Sequence, residues 1–178
     1  VTASAGGFDG LAGAGTVGAG PREGRPPEGI RTSAARPEGA TRLVLIRHGE
    51  AVCNVSGVCG GPLGCDGLTE LGRRQVEALR NRLLATGELA GADALYASVL
   101  PRAIETARLV APALADPVSG RTVGLVTECG LCELHPGAAD GLTWAEFSET
   151  FGAIDWDSDP DRPIAPGGES WTGFVRRV

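Results

Sequence analysis

Three short apolar runs, separated by segments of helical period, constrain this chain most. The runs are "RLVLI" (42–46), "ADALYAS" (92–98) and "TVGLVT" (122–127). Each is short and continuous, as in strands buried on both faces. Between the first two, Thr69 is placed to N-cap a helix "ELGRRQVEALRNRLLATG". Its Val76, Leu79 and Leu83 recur on one face, and Gly87 ends it. "PRAIETARLVAPAL" opens with Pro101 at a helix-start position and turns Ile104, Ala107 and Ala111 inward. "LTWAEFSETFG" is a short helix with Gly152 beyond it. Strands alternating with helices imply parallel pairing and helices on both faces, a three-layer α/β/α fold with a mostly parallel sheet. In the final segment Ser170 is a candidate N-cap, and Trp171, Phe174, Val175 and Val178 follow at helical spacing. That stripe is still running at the last residue without a cap, so at least one further strand is expected beyond it.

Residues 1–40 are Gly, Ala, Pro and Arg with very few large apolar side chains. Such a segment buries too little surface to offset its ordering entropy, and it reads as a disordered tail ahead of a domain over 41–178. Within it, Gly13, Gly15 and Gly18 spell G-x-G-x-x-G. That fingerprint needs a strand before it and a helix after it, and neither is present, so no nucleotide site is expected there.

The 178 residues suffice for one sizeable core. The formal net charge of -6 and a pI near 4.9 argue against a nucleic-acid or anionic-membrane surface, since both partners favour a basic face. No apolar run approaches the roughly 20 residues of a membrane span, and the N-terminus lacks a signal-peptide layout. The expectation is a soluble cytoplasmic protein. Its five cysteines are an odd number and are expected to be thiols. Cys129 and Cys132 form a C-x-x-C, but the second pair of a four-ligand zinc site is missing, which weighs against a metal.

Ligands of an open α/β sheet gather at the carboxyl ends of its strands. Arg47 and His48 stand there after the first run, Arg102 after the second, and Glu133 after the third. Two guanidiniums, an imidazole and a carboxylate on one rim suit a phosphoryl group, with His48 as an uncharged nucleophile. Glu128 lies near Glu133 and competes for the carboxylate role. Glu50, next to His48, reads as a local ion-pair partner.

Several stretches resemble, in order, those of the histidine phosphatase superfamily, also called phosphoglycerate mutase-like. "LIRHGEAVCN" is similar to its nucleophile motif, and "DGLTELGRRQVEAL" to the helix that follows. "YASVLPRAIETA" resembles its second phosphate-arginine segment, "ELHPGAADGLTWAEFSETFG" the segment carrying the proton donor, and "PGGES" the start of the last long helix. The resemblance implies that His48 becomes phosphorylated and that Arg47 and Arg102 hold the phosphoryl oxygens. It implies that Asn54 donates to one of those oxygens, and that Glu133 protonates the leaving oxygen and then activates water. It implies no cofactor and no metal, because the arginines supply the charge.

Two departures stand out. The family's second histidine, in an S-H-G context, has no counterpart, and His135 is not expected to replace it. The mutases' E-R-H-Y-G reads "ELHPG", so Leu134 and Pro136 stand where arginine and tyrosine grip phosphoglycerate. The resulting expectation is a phosphatase of small phosphate monoesters acting through phosphohistidine. A phosphoglycerate-type mutase and an inactive family member are its alternatives.

Overall fold

Thr69 starts the longest helix as its position suggests. In a computed structural model, which describes residues 39–178, its hydroxyl accepts the Gly72 N–H at 2.9 Å. The helix runs from Glu70 to Thr86 and closes on Gly87 at φ +64°, a left-handed cap that glycine adopts without strain. In chain order, α1 is Val52–Ser56, α2 Glu70–Thr86, β1 Leu95–Ala97, α3 Pro101–Val110, β2 Leu125–Thr127, α4 Trp144–Phe151 and α5 Trp171–Arg177. A 3₁₀ turn, Ala111–Leu114, extends α3. The tail reading and the glycines at 13, 15 and 18 lie outside the described residues, except for positions 39 and 40.

β1 and β2 pair in parallel, Leu95 opposite Leu125 and Ala97 opposite Thr127. The parallel pairing expected of the second and third runs is present, in a mixed helix and sheet fold. The first run differs from expectation. The run 42–46 carries no regular secondary structure and forms no ladder among the described residues, and Leu43 and Leu45 are 80% and 84% exposed. A strand exists only through a neighbour that takes its backbone donors and acceptors, however apolar its side chains. Beside this run lies an open hollow of about 400 Å³, lined partly by Val44, Ile46, Leu79, Leu83 and Leu89.

The main core lies between α2 and α3. Leu68, Val76, Leu83, Val110, Ala113 and Leu114 are buried there, with Leu79 and Leu95 packed against them. Val76 and Leu83 therefore face inward as their spacing requires. In α3 Ala107 is buried as expected, but the rest of the buried face is rotated from the expected one. Arg102, Thr106, Ala107 and Val110 are buried, whereas Ile104 and Ala111 are only half-buried. The reason is chemical: α3 turns its N-terminal guanidinium into the molecule, and that sets which face follows.

A second cluster gathers Cys59, Ala139, Phe147, Ile164 and Ala165 around α4. This helix begins in a capping box, where Thr143 Oγ1 accepts from Glu146 N–H at 3.2 Å and Glu146 Oε2 accepts from Thr143 N–H at 2.8 Å. Those bonds hold the Glu146 carboxyl below its ordinary pKa. Ser170 caps α5 by accepting from Gly173 N–H at 3.0 Å. The α5 stripe is half-open: Phe174 is partly buried, Trp171 stacks on Trp156, and Val175 and Val178 are exposed. Among the described residues no helix is long and apolar enough to cross a membrane.

Candidate active site

Arg102 is only 4% exposed, and a charge that deep needs partners. It sits one residue inside the Pro101 start of α3. Its Nη1 donates to the Gly60 carbonyl at 2.5 Å and lies 3.8 Å from Cys53 Sγ, and its Nη2 donates to Glu133 Oε2 at 3.0 Å. Burial pulls the guanidinium toward its neutral form. Hydrogen bonding and charge from Cys65, then Cys53 and Glu133, outweigh that pull and raise its pKa. The cation is thus permanent, and its hydrogen-bonding face opens toward Glu133, whose side chain is 76% exposed.

The Gly60 carbonyl is held by the loop 57–67. Asp140 accepts N–H bonds from Leu63 at 2.8 Å and Gly64 at 2.9 Å, and the Cys59 N–H bonds to Leu142 O at 2.8 Å. A β-carbon at Gly61 would collide with Asp140 and Pro136, so only glycine allows this approach. Asp140 is thereby a positioning residue for Arg102 that no local pattern announced, because it acts from more than 70 residues away along the chain.

His48 follows the exposed apolar run and is half-buried. Its Nδ1 lies 2.6 Å from the Gly49 carbonyl. A carbonyl only accepts, so Nδ1 carries a proton, and in the neutral ring the lone pair is then on Nε2. Gly49 is fixed in turn. Its N–H donates to Thr106 Oγ1 at 3.3 Å, and Thr106 donates to the Arg102 carbonyl at 2.8 Å. Gly49 and Gly72 pack so closely that a β-carbon on Gly49 would meet the Gly72 carbonyl. One hydroxyl thus couples the histidine segment to the arginine helix.

Of the residues expected in the site, Arg102 and Glu133 are in direct contact, and His48 is linked to them through Gly49 and Thr106. Glu133, not Glu128, reaches the arginine. Asn54 lies in α1, and its Oδ1 accepts from Ala51 N–H at 3.2 Å. Arg47 is exposed, beside the open hollow that flanks α2. Glu50 accepts from Thr69 Oγ1 at 2.7 Å, a local anchor for the start of α2.

All five cysteines are free thiols. Burial pushes the Cys53 thiol above its ordinary pKa against the pull of Arg102, and burial with Asp140 does the same to Cys59. Neither is an activated thiolate. Cys129, Cys132 and His135 converge on one side of the Glu133 segment, a grouping that the C-x-x-C spacing did not disclose.

The sequence profile of the histidine phosphatase superfamily (branch 1) matches residues 43–178. A bifunctional protein of Mycobacterium tuberculosis is 37% identical over 78% of this chain and 35% of its own length. A metal-independent phosphoserine phosphatase of Arabidopsis thaliana is 34% identical over 77% of this chain and 55% of its own. A 2,3-bisphosphoglycerate-dependent phosphoglycerate mutase of Corynebacterium efficiens is 34% identical over 62% and 42% respectively. Among solved structures, a mycobacterial glucosyl-3-phosphoglycerate phosphatase in complex with VO3 superposes with a TM-score of 0.57 at 29% identity, covering 74% of this chain and 57% of that one. The chain thus spans from about a third to little more than half the length of these relatives.

Proposed function

The chain belongs to the histidine phosphatase superfamily, branch 1, and from that premise we propose that it is a phosphatase of small phosphate monoesters acting through phosphohistidine. The observation that carries this reading is the buried Arg102, shared between Gly60 and Glu133 and linked through Thr106 and Gly49 to the segment of His48. The Nε2 lone pair attacks phosphorus, the P–O ester bond breaks, and its electron pair leaves with the alkoxide oxygen. Glu133 protonates that oxygen. The same carboxylate then takes a proton from water, which attacks phosphohistidine and breaks the P–N bond, releasing inorganic phosphate and His48. Arg102 and Arg47 neutralise the phosphoryl oxygens, and Asn54 donates to one of them.

Phosphoglycerate mutases among the relatives favour a second reading, phosphoryl transfer between two hydroxyls. A mutase must retain its substrate between transfers. Here Leu134 packs against the Phe147 cluster and Pro136 is buried, so neither offers a hydrogen bond to hold the departing molecule. That supports release and hydrolysis by water.

The test is acid-labile labelling by an aryl phosphate or a phosphorylated hydroxy acid, followed by peptide mapping. Label on the peptide that contains His48, absent in His48→Ala, is the expected result. Label on the "ELHPG" peptide overturns the assignment. Interconversion of 2- and 3-phosphoglycerate in preference to hydrolysis would establish the mutase instead.

A further inference from the structure

Three soft donors meet beside Glu133. Cys129 Sγ, Cys132 Sγ and a ring nitrogen of His135 all lie within 4.8 Å of one another, and Cys129 Sγ is 3.2 Å from His135 Nε2. The spacing is C-x-x-C-x-x-H, with a 3₁₀ turn at Cys129–Leu131 folding the first cysteine back over the second. From this convergence we infer that the chain binds a thiophilic divalent cation, Zn²⁺, through Cys129, Cys132 and His135, leaving a fourth position open. Two thiolates and an imidazole suit zinc. A tetrahedral zinc site needs its donors about 3.5–3.8 Å apart, given Zn–S of about 2.3 Å and Zn–N of about 2.0 Å. Cys129 is exposed and its Sγ already lies 3.2 Å from His135 Nε2, while Cys132 is buried.

The surroundings are those of a built site. His135 Nδ1 lies 3.5 Å from Glu169 Oε1, and the His135 backbone N–H donates to Glu169 Oε2 at 2.9 Å. With that carboxylate on the Nδ1 side, Nε2 is the ring nitrogen that faces Cys129 Sγ, the arrangement common to histidine ligands. Glu169 is itself held by Arg177, through Nε at 2.7 Å and Nη2 at 2.8 Å. The same guanidinium gathers the ligand loop, donating to the carbonyls of Cys129 at 3.0 Å, Gly130 at 2.9 Å, Cys132 at 3.1 Å and Glu133 at 3.2 Å. One arginine from α5 thus shapes the turn that presents both sulfurs and orients the carboxylate behind the third ligand.

The three donor residues line a hollow of about 30 Å³ shared with Gly61, Leu100 and Glu133, space of about one water molecule. Metal entry displaces the two thiol protons to solvent and ties together residues on both sides of Glu133. The proposed phosphatase chemistry needs no such ion, so this inference stands apart from that reading.

The test uses the full chain, reduced and stripped with a chelator, then titrated with Co²⁺. The expected result is one equivalent bound, with thiolate-to-cobalt charge transfer and tetrahedral visible bands, both bleached by equimolar Zn²⁺. Cys129→Ser and His135→Ala should each lose these bands, while Cys59→Ser should keep them. Glu169→Gln should weaken binding about 10- to 100-fold. Cys129 is exposed, so its serine variant keeps the core, and Zn²⁺ should raise the melting temperature of the parent but not of that variant. Absence of the bands, or their persistence in both ligand variants, overturns the proposal. None of these readouts involves turnover, so failure here leaves the phosphatase reading untouched, and the reverse.

Discussion

Leu43 and Leu45 are 80% and 84% exposed in the most apolar run of the chain, whereas Gly61, Cys65 and Gly67 are buried in a loop with five glycines. The two regions, 42–46 and 57–67, invert the usual relation between hydrophobicity and burial. The apolar run is tethered through Arg42, whose Nη1 donates to the Glu88 carbonyl at 2.9 Å. The glycine loop has Asp140 on two of its amides, a backbone bond to Leu142 and Arg102 on the Gly60 carbonyl. Burial follows from the number of partners that meet a segment, not from the oiliness of its side chains. The loop also serves the site directly: without it Arg102 loses an acceptor and becomes a buried charge with one partner fewer.

Replacing that cation breaks the contrast most severely. Arg102→Ala should lower kcat/KM on an aryl phosphate by about 10²–10³, the usual cost of one transition-state donor, and should also lower the melting temperature because Gly60 and Glu133 lose their partner. Arg47→Ala, at an exposed position, should reduce kcat/KM while leaving the melting temperature unchanged. Equal thermal losses in the two variants would show that Arg102 holds no special structural place. Leu83→Ala, in the core between α2 and α3, should cost about 2–5 kcal/mol in denaturant unfolding. Asp140→Ala removes a charged acceptor from two amides and should cost about 2 kcal/mol. Faster amide exchange at Leu63 and Gly64 than at residues of α2 would locate that loss in the loop. Thr143→Ala deletes the cap of α4 and should cost about 1 kcal/mol. Leu45→Ser is the mildest, within about 0.5 kcal/mol, because an exposed leucine has little packing to lose. A loss comparable to that of Leu83→Ala would show that the run 42–46 is packed after all.

What local chemistry decides is legible in the order of the residues alone. Thr69, Gly87, Pro101, Gly152 and Ser170 mark helix ends through backbone donors and φ angles that involve only near neighbours, and each stands at the helix end its residue type implies. The parallel pairing of β1 with β2 follows from the alternation of runs and helices. The place of Glu133 after the third run makes it a site candidate, and it does meet Arg102. The rest depends on contacts far apart along the chain. The run 42–46 has the composition of a buried strand, but pairing is a property of two segments. The buried face of α3 departs from its apolar spacing because Arg102, a residue type usually left at the surface, is drawn inward by Gly60 and Glu133. Cys129, Cys132 and His135 carry the letters of a metal site in the sequence without its geometry. It takes Arg177, more than 40 residues away, and the carboxylate of Glu169 to fold those letters onto one point. Short-range sterics and capping write themselves into adjacent residues, whereas a buried charge or a ligand cluster exists only once distant segments close around it.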